Sequence, residues 1–167
     1  TNNANVILSG VGSTFAAING LGDNEGTFRL TKGAAFTTTG SLTNNGTLVL
    51  GPQGALTVAG ALTEGAAATL NMQIGGTPAS GAFGFLTTTG LATLGGTLLV
   101  TLADGYGPTA GQTYTVTNFA SKTGAFATLA GGTVNGVQLF TITVNGNIVI
   151  NAVGNSADLA VSAVTAP

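Results

Sequence analysis

The sequence predicts an all-β protein, a parallel β-solenoid that ends in an antiparallel hairpin cap. Three observations predict it: a gapless internal repeat, short Thr- and Val-rich runs punctuated by Gly, and a near absence of charge.

The repeat is the most informative of the three. Residues 26–44 read GTFRLTKGAAFTTTGSLTN and residues 46–64 read GTLVLGPQGALTVAGALTE, an offset of twenty with no gap. Gly26/Gly46, Thr27/Thr47, Leu30/Leu50, Ala35/Ala55, Thr37/Thr57, Gly40/Gly60, Leu42/Leu62 and Thr43/Thr63 are identical, and Phe28/Leu48 and Phe36/Leu56 exchange one apolar group for another. A strand–turn–strand unit of this length cannot bury its own apolar side. Stacking it on the next unit, about 4.8 Å away, does so. The register predicts Leu30 over Leu50 and Phe36 over Leu56, with Gly at tight corners. Thr and Asn are expected to face outward or to form side-chain ladders along the axis. Fainter echoes extend the pattern: Leu8 lies twenty residues before Phe28, 87–91 matches 37–42, and 96–98 matches 46–48. The competing folds are a sandwich of ordinary hairpins and a transmembrane barrel. A barrel calls for strands of about ten residues and aromatic girdles, whereas aromatics are 6% here.

In chain order the predicted strands are 5–8, 26–30, 47–50, 55–58, 97–102, 113–117, 138–144 and 147–153. Each is short, alternating and rich in Thr, Val, Ile or Leu. No long window places apolar residues at helical spacing. Asn145-Gly146 joins the last two runs, and Asn-Gly there is a strong hairpin signal because a type I′ turn needs positive φ at both central positions. A two-residue loop pairs Val144 with Asn147; a three-residue loop changes which apolar sets share a face. Either hairpin would cover a strand edge that otherwise templates aggregation. The organisation expected is solenoid coils over 1–102, the solenoid end and cap over 103–155, and a linker and terminal strand over 156–167.

Composition narrows the chemistry. The 167 residues include 28 Gly but no Cys, His or Trp, and charged residues are 5%, for a net charge of −2. An ordinary chain carries about 25% charge. Disulfides, thiolate or histidine metal sites and Ser-His or Cys-His catalysis are excluded. Three scattered basic residues cannot form a nucleic-acid groove. No stretch approaches the roughly 18 apolar residues of a membrane helix, so no membrane insertion is expected. At 44% hydrophobic residues and mean hydropathy +0.48, the chain is no disordered polyampholyte. A start at Thr1 without a signal segment reads as a mature or excised piece. The low charge also has a positive sense, since a charge at a repeated position would stack on its like and repel it.

The motifs of the second half carry a resemblance. Thr89-Gly90-Leu91-Ala92-Thr93-Leu94-Gly95-Gly96-Thr97-Leu98 is followed by Gly105-Tyr106-Gly107-Pro108-Thr109-Ala110-Gly111-Gln112-Thr113-Tyr114-Thr115-Val116 and then by Thr123-Gly124-Ala125-Phe126. From about Gly40 to Val153 the chain resembles the β-strand-repeat passenger domains of bacterial autotransporters and large surface adhesins. The resemblance implies a right-handed parallel β-helix and an extracellular location, and it brings no catalytic residues. The end of the chain, 157–167, is similar to the first strand of CARDB-type adhesion domains, with Gly154-Asn155-Ser156 as a linker.

Candidate sites are few. Asp23 and Glu25 are two apart, as paired glycosidase carboxylates could be, or could hold calcium with Asn24, but Asp23-Asn24-Glu25-Gly26 reads as a solvated turn. Glu64 and Asp104 read as isolated turn acids. Tyr106 and Tyr114 read as packing residues, and Asn45-Gly46-Thr47 as a turn although it fits the glycosylation pattern. Thr37/Thr39, Thr87/Thr89, Thr113/Thr115/Thr117 and Thr141/Thr143 suggest a flat ice- or carbohydrate-binding face, but Thr39 would stack on Ala59 and break it. The reading is a non-enzymatic structural or adhesive surface protein without cofactors. Its expected partners are copies of itself, end to end, or flanking domains. The candidate assembly strands are Val6, Ile7 and Leu8 at one end and Leu159, Val161 and Val164 at the other.

Overall fold

The structure, a computed structural model, describes residues 1–131, 133–134, 137–144 and 146–154. It is all-β, built from parallel sheets and one antiparallel sheet, with two short 3₁₀ turns, Ala16–Ile18 and Pro78–Ser80. The candidate strand residues Leu159, Val161 and Val164, and the expected linker at Asn155 and Ser156, lie outside the described residues.

The first sheet has six parallel strands in chain order: Asn5–Ser9, Thr27–Thr31, Thr47–Leu50, Thr69–Ile74, Thr97–Leu102 and Thr128–Gly131. Successive passes of the chain therefore lie side by side. The register puts Val6, Phe28, Leu48, Leu70, Leu98 and Leu129 in one inward column. Leu8, Leu30, Leu50, Met72 and Val100 form the next, and all five are buried. The second sheet curls. Its long strand Phe85–Leu94 pairs with Ala55–Val58 through its first half and with Leu62–Glu64 through its second. Ala35–Thr37 extends one side; Leu42–Asn44 and Asp23–Asn24 extend the other. Thr117–Gly124 lies along the far edge of Phe85–Leu94.

The repeat sets this register. Leu30 pairs with Leu50, Phe36 with Leu56 and Thr37 with Thr57, as the offset of twenty requires. Thr87 continues the Thr37–Thr57 column, and Thr97 continues Thr47–Thr69. One echo is corrected. Phe28 pairs with Val6, and Leu8 pairs with Leu30, so the first pass is twenty-two residues long. Glycine at the corners is a steric need: a Cβ on Gly46 would fall on the Gly26 carbonyl oxygen.

Parallel pairing continues beyond Leu102 to Gly131. The antiparallel sheet follows, in the order Thr113–Thr115, Asn147–Val153, Val137–Val144, Thr133–Val134. Val144 pairs with Asn147, the register of the shorter loop. Ile148 and Ile150 are buried and join the core made by the parallel sheets.

Candidate functional site

The most organised polar feature is a buried ladder. Asn2, an isolated bridge residue, and Asn24, Asn44 and Glu64, at the ends of successive short strands, occupy equivalent positions, and each is at most 5% exposed. Asn2 Nδ2 donates to Asn24 Oδ1 at 2.7 Å, Asn24 Nδ2 to Asn44 Oδ1 at 2.8 Å, and Asn44 Nδ2 to Glu64 Oε2 at 2.7 Å. Second donations run to backbone carbonyls, from Asn2 to Thr27 and from Asn24 to Thr47. Asn2 Oδ1 accepts the Ala4 N–H. An amide both donates and accepts, so it can repeat indefinitely; a carboxylate only accepts. Glu64 therefore ends the ladder. Its Oε1 is buried with no hydrogen-bond partner. Burial pushes its carboxyl up to about 7, while the Asn44 bond pulls the other way. The turn reading is thus corrected for two residues. Asn24 is a fully buried strand residue because its amide is paired on both sides. Glu64 is a buried strand end because the pass that carries it is roofed by the next.

The other acids stay apart. Asp23 is exposed and meets Thr1 Oγ1 at 3.5 Å, and Glu25 Oε1 accepts from Asn45 Nδ2 at 2.9 Å. Asp104 sits at a corner with φ +55°, close to Gly75. No group of three or more acids that could hold a metal ion occurs among the described residues. Asp104 shares an open cleft of about 400 Å³ with Arg29, Lys32 and Gln73, across the outer face of the first sheet.

That outer face carries threonine in register. Thr27, Thr47, Thr69, Thr97 and Thr128 form one column over five strands. Thr43, Thr63, Thr93 and Thr123 form another on the second sheet. The neighbouring first-sheet column reads Ile7, Arg29, Val49, Asn71, Leu99 and Ala130, so the threonines form a single row and not a flat two-row array. No described column places two like charges next to each other, as stacking requires.

Tyr106 and Tyr114 are packing residues with a polar hub. Gln112 Oε1 accepts from both phenols, at 2.7 and 2.8 Å, and from the Thr109 N–H at 3.0 Å. Phe83 meets the Tyr114 ring edge-on at 5.6 Å. The Pro-Thr-x-Gly-Gln-Thr-Tyr run thereby closes its own loop. The candidate assembly residues Val6, Ile7 and Leu8 lie on the edge strand of the first sheet, with Leu8 buried inward and Ile7 54% exposed outward.

Sequence reasoning foresaw side-chain ladders but missed these members. The available signal was position: Asn24 and Asn44 both stand two residues before a corner glycine, and Glu64 is aligned with Asn44 in the repeat. No protein-family model, curated protein or solved structure matches the chain.

Proposed function

We propose that the chain is a right-handed parallel β-solenoid segment of an extracellular bacterial surface protein. In this reading it is a rigid stalk or filament subunit that meets copies of itself, or flanking domains, end to end. The observation that carries it is the unbroken inward column Val6–Phe28–Leu48–Leu70–Leu98–Leu129 beside the outward threonine column. Each pass adds one strand to a stack whose first-sheet inner column is apolar and whose surface carries few charges, which suits a spacer whose length scales with the number of passes. Both ends leave a strand edge, Asn5–Ser9 and Thr128–Gly131, and a contact between unlike ends propagates into a filament. The resemblance of 89–126 to passenger domains of autotransporters and adhesins points the same way. Electron microscopy of the purified protein at rising concentration tests it. Filaments are expected for the self-associating form. Strictly single rods leave the stalk form, and compact isometric particles overturn both.

The five-threonine column favours one second reading, a surface-binding module for ice or carbohydrate. Thermal-hysteresis and glycan-array measurements decide it, and null results in both retire it.

A further inference from the structure

The stack changes character at one level. Up to Glu64 the corner column is a polar ladder; thirty residues on, the equivalent position is Leu94 and the one after it is Gly124. Pairing changes at the same level. The register of Leu42–Asn44 with Leu62–Glu64 runs through the Asn44–Glu64 pair, and that of Phe85–Leu94 with Thr117–Gly124 runs through Leu94–Gly124. Between Leu62–Glu64 and Phe85–Leu94 it stops at Thr63–Thr93, so Glu64 and Leu94 are not paired with each other. The Glu64 carbonyl oxygen instead abuts Gly95, whose added Cβ would lie 2.6 Å away. A missing ladder rung, an acceptor-only terminus and a buried carboxyl oxygen without a partner thus coincide at one plane.

We propose that this plane is a proton-controlled weak point: the neutral Glu64 carboxyl keeps the passes before and after it closed, and its ionisation lets them part locally at the Glu64–Leu94 junction.

The physical cause is desolvation. A neutral carboxyl can lie between the Asn44 amide and Leu94. A carboxylate there has one charge-assisted hydrogen bond and an orphan oxygen, and opening the junction gives that oxygen water. No opposing charge offsets this. The two strands that pair with Leu62–Glu64, Leu42–Asn44 and Phe85–Leu94, contain no other titratable side chain. Asp23 and Glu25, which flank the ladder residue Asn24, are exposed, and Glu25 is bonded to Asn45. Rise in pH through the neutral range therefore weakens one plane and spares the ladder interior. The device is independent of whether the chain serves as stalk, filament or binding surface.

Hydrogen exchange on the full chain tests it. The Gly90 N–H to Gly60 and Thr97 N–H to Ala68 bonds span the weak plane, whereas Gly46 to Asn24 and Thr47 to Gly26 lie within the ladder. After correction for intrinsic exchange, protection of the first pair relative to the second is expected to fall roughly tenfold or more between pH 5 and pH 8. In Glu64→Gln the ratio is expected to stay constant. An unchanged ratio in the parent protein, or the same fall in Glu64→Gln, overturns the proposal. A second measurement needs no substitution. The chain has two glutamates, Glu25 and Glu64, so carbon-13 detection can follow the Glu64 carboxyl directly. Titration in the neutral range supports the device, and titration at the ordinary carboxylate value overturns it.

Discussion

Asn44 donates its side-chain amide to Glu64 across 2.7 Å, and both side chains are buried. The bond joins two passes of the chain at the point where an amide ladder must stop. It has the polarity such a stop demands, because the last donor meets a group with nothing to pass on.

Truncating the middle of the ladder leaves two buried partners unmet. In Asn44→Ala, Asn24 Nδ2 loses its forward acceptor and Glu64 loses its sole side-chain donor. Each stranded group costs about 1–3 kcal/mol, so a loss of about 2–6 kcal/mol in unfolding free energy is expected. Its exposed neighbour Asn45, changed to Ala, is expected to cost under about 1 kcal/mol. Equal losses in denaturant titrations of the two variants would refute the ladder.

Global stability should depend on pH with an unusual sign. Burial holds the Glu64 carboxyl up at about 7, against 4.5 for the free side chain. Between these values the folded chain keeps a proton that the unfolded chain has released. The contribution is whole below about pH 4.5 and is lost as pH rises through about 7, with a total of about 3 kcal/mol. Urea midpoints at pH 4.5, 6 and 8 at fixed ionic strength are expected to fall in that order. In Glu64→Gln the decline should flatten.

Much of the core could be read directly. The gapless repeat states which residues stack, and Leu30 over Leu50 and Phe36 over Leu56 follow from it. What escaped has physical reasons. The strands Asp23–Asn24, Leu42–Asn44 and Leu62–Glu64 are two or three residues long, too short for alternation to show. Asn and Glu beside glycine imitate turn chemistry; only a partner twenty residues away distinguishes a buried rung from a solvated loop. Beyond Glu64 the passes lengthen to about thirty residues, because loops such as that around Pro78–Ser80 are inserted at the corners. The offset that reveals the register is lost there, and the alternating run Thr69–Ile74 is recognisable as part of the stack only through its neighbours.

Two glycines separate steric need from mere frequency. A Cβ at Gly46 would strike the backbone of Gly26 and Glu25, whereas one at Gly40 meets nothing within 4 Å. Neither residue has positive φ. Gly46→Ala is expected to destabilise by about 2 kcal/mol or more, since two passes must move apart. Gly40→Ala is expected to be neutral or slightly stabilising, because it restricts the unfolded chain. Thermal unfolding of the pair checks this, and a tolerated Gly46→Ala would show that the corner can relax.

The Gln112 hub should hold its loop from within. Gln112→Leu removes the acceptor shared by Tyr106, Tyr114 and the Thr109 N–H. Tyr114 is fully buried, and burial together with Tyr106 pushes its phenol upward, so it cannot escape by ionising. A loss of about 1–3 kcal/mol is expected, with increased proteolysis confined to residues 103–112. Unchanged protease resistance would mean that the Phe83–Tyr114 packing alone fixes the loop.

The two walls at the C-terminal end of the parallel stack give opposite instructions for assembly. Leu129 is the last described member of the column that begins at Val6, and it is 60% exposed, with no later strand of the first sheet over it among the described residues. Lys122 occupies the inward column of Leu42, Leu62 and Ala92 on the second sheet. A lysine pointing inward on an edge strand opposes the docking of another strand there. If copies join end to end, Leu129 supplies the attraction and Lys122 limits it. Leu129→Lys is expected to reduce self-association severalfold and to change stability by under about 1 kcal/mol, since its side chain is mostly in water already. Lys122→Leu is expected to raise self-association, because it completes the apolar column and removes the charge. Sedimentation velocity of the parent and both variants over a concentration series reads the two shifts together. If all three sediment as identical monomers at the highest concentration, the filament form of the proposed function fails, and Lys122 is left as the residue that keeps a stalk segment from stacking on its neighbours.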